Sequence, residues 1–246
     1  MPGDWTRQLL AMVVIAGVLG GAPPLVRAAD CPAAREPRIS QPTLPLNIDK
    51  VKAQLRAYHQ DAYTGDVEAV LADALSFVEQ RAGEVSKPAL VLDIDETSLS
   101  NWRNLEANDF GFINDGSCDR LPKGPCGFKA WIRQHAADVI TPTRILFNAA
   151  KAKGVAVFFV TGRHEADRDV TVRNLNQQKF NGWDKLVMRT DADVQRTVQD
   201  YKTEERSKIA AAGYTIIANV GDQKSDLDGG FAECTFKVPN PFYFIR

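Results

Sequence analysis

Asp93 and Asp95 stand one residue apart where the apolar run ALVLD (residues 89–93) ends, and Glu96 and Thr97 follow directly. Like charges this close repel and raise one another's pKa, an arrangement that a cation or a bound anion would justify and a purely structural role would rarely ask for. Three further groups sit where other apolar runs end: Thr161-Gly162-Arg163 after VAVFFV, Gly221-Asp222 after TIIANV, and Asp226 four residues on. Lys202 opens the helical stretch that precedes TIIANV. A few oxygen ligands with no histidine or cysteine among them suit Mg²⁺ and leave coordination positions open for a phosphate. A hydroxyl (Thr161) and a lysine (Lys202) can hold phosphoryl oxygens, and one aspartate is then free to act as a nucleophile through an acyl-phosphate.

The elements that position these residues follow from periodicity. ALVLD (89–93), VAVFFV (155–160), KLVMR (185–189), TIIANV (215–220) and CTFKV (234–238) read as five strands. Helical stretches lie between them at 142–153, 165–180 and 202–212, each closed by a glycine or by Asn181-Gly182. Strands that are nearly all apolar and alternate with helices predict an α/β fold, a parallel sheet covered on both faces. Such sheets bind ligands outside the carboxyl ends of their strands, which is where the acidic residues, Thr161 and Arg163 fall. Two helices are predicted before the first strand, at 48–62 and 66–82, the second capped by Thr64 or Asp66 and ended by Pro88.

The interval from Asp95 to Val155 is longer than one crossover helix needs. Residues 97–141 therefore build an insert, placed to cover the site. It carries Trp102, Phe110, Phe112 and Trp131. Trp131 reads as core, whereas Trp102, Phe110 and Phe112 are candidates for stacking a nucleobase or an aryl leaving group, Trp102 and Phe110 foremost. The histidines His59, His135 and His164 read as surface residues, and Arg163 and Arg168 as surface charge or ion-pair partners.

DIDET, VTGR, YKTEER and GDQKSDL resemble, in order, the four motifs of the haloacid dehalogenase (HAD) superfamily of phosphohydrolases. VTGRHEADRDVTVRNL, VGDQKSDLDGG and the tail FKVPNPFYFIR look like its subfamily IIIB, or class B-like, acid phosphatase branch, which includes plant vegetative storage proteins and bacterial secreted acid phosphatases. The resemblance covers about residues 46–246 and implies a Rossmann-like sheet with a small cap-like insert. It implies Asp93 as nucleophile and Asp95 as the general acid that then activates water, with the Asp95 backbone carbonyl also on Mg²⁺. It further implies metal ligation by Asp93 and Asp222, support of the metal shell or of Lys202 by Asp226, and phosphoryl binding by Thr161 and Lys202. Thr97 would fix the loop. The second reading of Asp226 is a cap on the helix after the fourth strand.

The remaining features concern export. LLAMVVIAGVLGGA (9–22), followed by Pro23, Pro24 and the small residues Ala28 and Ala29, has the pattern of a signal peptide over residues 1–29, with an uncleaved anchor as the alternative. Asp30 before Cys31 excludes a lipoprotein cleavage context. Residues 30–45 are proline-punctuated and read as an extended lead-in to a domain over 46–246. The four cysteines predict two disulfides in an oxidising compartment, Cys118–Cys126 across a short Gly/Pro-rich loop and Cys31–Cys234. A formal net charge of -1 gives no basic field for a nucleic-acid polymer.

Together these readings predict a periplasmic or secreted Mg²⁺-dependent acid phosphatase acting on small phosphomonoesters, 5′-nucleotides among them, with no membrane association after cleavage. A phosphotransferase using the same aspartyl-phosphate and a storage or binding protein on the same fold are the alternatives. A mildly acidic optimum would require Asp95 to keep its proton through a raised pKa.

Overall fold

The computed structural model describes residues 30–35 and 46–245; the predicted signal peptide and residues 36–45 of the lead-in lie outside the described residues. Two helices come first, α1 (Ile48–Asp61) and α2 (Tyr63–Arg81). Asn47 caps α1 by accepting from the backbone N–H of Asp49 at 3.0 Å. Neither Thr64 nor Asp66 caps α2, which starts at Tyr63 behind Ala62. Asp66 is instead buried and accepts a hydrogen bond from the Tyr58 hydroxyl at 3.0 Å.

After β1 (Pro88–Leu92), the chain forms β2 (Leu99–Ser100), α3 (Trp102–Ala107), α4 (Phe128–Arg133), β3 (Asp138–Val139) and α5 (Thr141–Ala152). It then alternates through β4 (Ala156–His164), α6 (Arg168–Gln177), β5 (Lys185–Arg189), α7 (Val198–Ala211), β6 (Thr215–Gly221), α8 (Lys224–Leu227) and β7 (Ala232–Lys237). The main sheet has the order β5-β4-β1-β6-β7 with every pairing parallel. The connection from β1 runs to one side of the sheet and that from β6 to the other. The order thus reverses between β1 and β6, and a crevice opens at their carboxyl ends.

Side chains alternate across the sheet as the two-residue period requires. Leu90, Leu92, Val157 and Phe159 enter one core with Leu71, Ala74 and Val78 of α2 and Leu146, Phe147 and Ala150 of α5. Ala89, Val91, Phe158 and Val160 enter a second core with Tyr201 and Ile209 of α7. The sheet is thereby buried on both faces, which explains its near-continuous apolar strands. The predicted helix 202–212 starts four residues earlier, because Thr197 caps α7 by accepting from the Asp200 N–H at 3.0 Å.

Residues between β1 and α5 form the covering unit. Its base is the antiparallel pair β2–β3, with Leu99 opposite Val139 and Ser100 opposite Asp138. Its middle is held by the Cys118–Cys126 disulfide and by Asn104 and Asn108, whose side-chain amides donate to the Cys126 carbonyl at 2.9 and 2.8 Å. The second disulfide joins Cys31 to Cys234 of β7. Among the described residues no helix is long and apolar enough to cross a membrane.

Candidate active site

Motif one begins where β1 stops. The Asp93 N–H still donates to Val220 of β6, and the chain then folds into a tight turn in which the N–H groups of Ser98 and Leu99 both return to the Ile94 carbonyl at 2.8 Å. Ser98 also donates its hydroxyl to the Asp93 carbonyl at 2.7 Å. This turn lifts Asp93 and Asp95 out of the sheet at the crevice between β1 and β6. Glu96 lies inside it at φ 52°, in the left-handed region that residues other than glycine rarely adopt.

Asp93 is buried and its Oδ1 accepts from Lys202 Nζ at 2.5 Å. The same ammonium donates to Asp226 Oδ1 at 2.6 Å. Lys202 can reach both because α7 presents it on its sheet-facing side, and Arg206 lies one turn later on that face. The Arg206 guanidinium donates to the carbonyls of Asp226 at 2.6 Å and Gly230 at 3.0 Å, and to that of Asp228. YKTEER therefore contributes two buried cations: one holds carboxylates, the other the backbone that carries Asp226.

Asp226 serves two structures at once. Its Oδ1 pairs with Lys202, and its Oδ2 accepts the Gln223 N–H at 2.9 Å, capping α8. Asp226 thus both caps α8 and pairs with Lys202. Gly221 permits this, since a Cβ there would lie 2.4 Å from the Asp226 Cβ. Asp222 is oriented through Oδ2, which accepts from Gln223 Nε2 and Asn240 Nδ2, each at 2.6 Å. Its Oδ1 accepts from the Thr97 hydroxyl at 3.4 Å. Thr161, fully buried at the β4 end, accepts the Arg163 N–H at 3.1 Å on its hydroxyl oxygen.

Charge is unbalanced here. Asp93, Asp95, Glu96, Asp222 and Asp226 face Lys202 and Arg163 as the charged groups at the strand ends. Burial raises the Asp222 pKa to about 8, with Asp226 adding to the rise. Burial likewise raises Glu96 to about 8, with Asp95 adding. Asp93 is pushed well up by burial, reinforced by Asp226, Asp222 and Asp95 against the opposing pull of Lys202. Burial works against the Lys202 charge as well, but Asp226 and Asp93 more than offset it and keep the ammonium protonated.

One carboxylate oxygen from each of Asp93, Asp222 and Asp226 lies within 4.8 Å of the others. Three converging buried carboxylates with an excess of negative charge fit a hard divalent cation. The Asp95 side chain is not in this group, so any contribution of that residue would come through its backbone carbonyl.

The Asp95 carboxylate points to Arg163, which is an ion-pair partner and not surface charge. Arg163 is 4% exposed and binds both Asp95 oxygens, at 2.7 Å from Nη2 and 3.1–3.2 Å from Nε. Burial would raise the Asp95 pKa, but the Arg163 ion pair and a hydrogen bond from Asn101 hold it below the ordinary carboxylate value. The expected raised pKa is thus reversed. Asn101, Gln223 and Asn240 are not marked by residue type or spacing in the sequence. Their signal lay in motif context, and Asn240 lies in the tail FKVPNPFYFIR.

The aromatic candidates are part of a cluster. The Trp102 ring stacks on His59 at 3.5 Å and 4°, and meets Phe242 and Phe110 edge-on at 5.2 and 5.8 Å. His59 is thereby half-buried, not a surface residue. Phe110 also carries the Arg56 guanidinium at 5.2 Å from its ring. Trp131 is core, as expected, at 1% exposure. His164 is exposed and His135 half-buried.

A parallel sheet with this strand order, and acids gathered at its β1–β6 crevice beside a buried lysine, define a Rossmann-like phosphohydrolase fold. Residues 39–246 match the family described as HAD superfamily, subfamily IIIB (acid phosphatase), and the chain belongs to that family. It is 33% identical over 166 residues to acid phosphatase 1 of Solanum lycopersicum, a match covering 66% of this chain and 61% of that protein. It is 30% identical over 200 residues to the stem 28 kDa glycoprotein of Glycine max, covering 80% and 75% respectively. Vegetative storage protein 1 of Arabidopsis thaliana is 24% identical over 208 residues, covering 81% of this chain and 74% of that protein. Among solved structures, the class C acid phosphatase from Bacillus anthracis shares the fold with a TM-score of 0.61 at 19% identity, covering 80% of this chain and 86% of that one.

Proposed function

We propose that the chain is an exported, Mg²⁺-dependent phosphomonoesterase that works through a phosphoryl group carried on Asp93. The observation that carries this reading is the placement of Asp93: buried, 2.5 Å from Lys202, and converging with Asp222 and Asp226. Bound Mg²⁺ would supply the positive charge that lets a carboxylate approach a phosphate dianion. Asp93, Asp222 and Asp226, with the Asp95 carbonyl, are the residues that would hold it.

In the first half-reaction an Asp93 oxygen bonds to phosphorus as the bond from phosphorus to the leaving oxygen breaks, and Asp95 gives its proton to that oxygen. In the second, water bonds to phosphorus, the Asp93–phosphorus bond breaks, and Asp95 takes the water proton. Lys202 and the Thr161 hydroxyl offset charge on the transferring group. Because Arg163 favours the ionised form of Asp95, the acid form needed first is populated at low pH. An acidic optimum is therefore expected for a different reason from a raised pKa.

The substrates proposed are small phosphomonoesters, 5′-nucleotides among them. Pairing of all four cysteines in two disulfides supports an oxidising, extracytoplasmic location. The similarity to a vegetative storage protein favours one rival, a protein on the same fold with little turnover.

Phosphate release from p-nitrophenyl phosphate and a nucleotide panel, with Mg²⁺ and with chelator, separates the two readings. Metal-dependent release that falls on the order of 10³-fold or more in Asp93→Asn is expected. No release from folded, metal-loaded protein would leave the storage reading.

A further inference from the structure

Asp95 is held from two sides. Arg163 comes from the end of β4, and Asn101 comes from the covering unit, where its side-chain amide donates to Asp95 Oδ1 at 2.8 Å. The Arg163 Nη2 donates to the same oxygen at 2.7 Å and Nε at 3.2 Å, whereas among the described residues Oδ2 receives Nε alone, at 3.1 Å. The two carboxylate oxygens are therefore unequal. A proton on Oδ1 would confront three N–H donors, while one on Oδ2 would confront a single donor.

Both holders are themselves fixed. Arg163 donates through Nη1 to the buried Thr171 hydroxyl at 3.3 Å. Asn101 is buried and cannot turn its amide over, because its Oδ1 accepts from Trp131 Nε1 at 2.7 Å and its Nδ2 also meets Glu96 Oε2 at 3.0 Å. Trp131, on α4, thus links the covering unit to the orientation of Asp95.

We propose that Arg163 and Asn101, the latter set by Trp131, are positioning residues that saturate Asp95 Oδ1 and leave Oδ2 as the oxygen that carries the catalytic proton. The inference rests on the reading of Asp95 as proton carrier. On that reading, disturbing the clamp slows the steps that move a proton and spares bond breaking that needs none. Departure of p-nitrophenolate needs no proton; departure of an alkoxide does.

The test compares p-nitrophenyl phosphate with glycerol phosphate in Arg163→Met, Trp131→Phe, Asp95→Asn and wild type, all loaded with Mg²⁺. First-turnover release of the leaving group is read by rapid quench, followed by steady-state turnover. At a pH low enough that Asp95 is protonated in wild type and variant alike, so that only its positioning differs, Arg163→Met should lose about 10²-fold in first-turnover glycerol release and less than about 3-fold in p-nitrophenol release, a burst that precedes slow hydrolysis of phospho-Asp93. Trp131→Phe keeps an aromatic ring and removes the N–H donor with the rest of the indole's five-membered ring; the cavity this leaves slows both substrates alike, so the split, expected at roughly several-fold size, reports the lost donor.

Equal first-turnover losses on both substrates in both variants overturn the clamp, since a phosphate-binding or merely structural role slows both alike. If Arg163→Met does not fold, Trp131→Phe decides alone: a split supports the clamp and its absence overturns it. A wild type whose Asp95→Asn variant shows no split refutes Asp95 as proton carrier, a failure of the underlying reading and not of the clamp.

Discussion

At the scale of single residues, the site is built by making one side chain answer two demands. Lys202 bridges Asp93 and Asp226, and Asp226 bridges Lys202 and the start of α8. A buried ammonium between two carboxylates is costly to remove, because the acids it compensates stay behind in a low-dielectric site. Lys202→Met is therefore expected to destabilise the metal-free protein by about 3 kcal/mol in urea unfolding. It should also lower kcat by about 10²-fold or more, since the proposed mechanism uses that charge to offset the transferring phosphoryl group. Loss of activity with unchanged stability would show that Lys202 does not hold the two acids together in the resting fold. Asn240 makes a quieter contribution: it orients Asp222 at 2.6 Å without being a ligand. If Asp222 is a ligand, as proposed, Asn240→Ala should weaken Mg²⁺ binding about 10-fold by calorimetric titration, the usual effect of deleting a hydrogen bond behind a metal ligand.

At the scale of elements, the strands and their ends were legible in the sequence and the contacts between ends were not. Five apolar runs between helical stretches placed Asp93, Thr161 and Asp222 at the same sheet edge, because a parallel sheet has one carboxyl edge. The start of α7 was missed, since a Thr197 cap preceding the polar residues Gln199 and Asp200 carries little apolar periodicity. For Arg163 the sequence leaves open surface charge or an ion pair, because it does not say which way a strand-end arginine turns; β4 continues through it to His164, and its guanidinium meets Asp95. The covering unit could be counted but not drawn, as its two-residue strands and six-residue helices are below the length at which a period shows. Gly221 illustrates how tightly an element end is specified. A methyl group there would collide with the Asp226 side chain at 2.4 Å, between β6 and α8. Gly221→Ala is expected to cost about 2 kcal/mol in unfolding free energy. It should also depress phosphate release by displacing Asp226 from Lys202. A variant as stable and active as wild type would show that β6 and α8 can part without consequence.

At the scale of the whole molecule, the acids of the crevice couple folding, protons and metal. Asp222 and Glu96 are each raised by burial to about 8, and Asp93 is raised as well, whereas in the unfolded chain such groups ionise near pH 4. Between roughly pH 4 and 8 the metal-free fold thus binds more protons than the unfolded chain, and the contribution of these groups to stability falls as pH rises through that window. A divalent cation reverses the balance, because it binds the ionised carboxylates and releases the protons they held. The stabilisation by a fixed Mg²⁺ concentration should therefore grow as pH climbs from 5 toward 8, since a tighter apparent Kd gives a larger shift in unfolding free energy. Scanning calorimetry at pH 5, 6.5 and 8, with Mg²⁺ and with chelator, measures this directly. The increment in Tm should be smallest at pH 5 and largest at pH 8, and Asp222→Asn should flatten the trend by removing one of the titrating ligands. An increment that is the same at pH 5 and pH 8 would mean that the acids are already ionised in the metal-free fold. Lys202 and Arg163 would then suffice to hold five acidic side chains together. The structure argues otherwise: Arg163 is committed to Asp95 and Lys202 to Asp93 and Asp226, so Asp222 is left with neutral amide donors and the Thr97 hydroxyl.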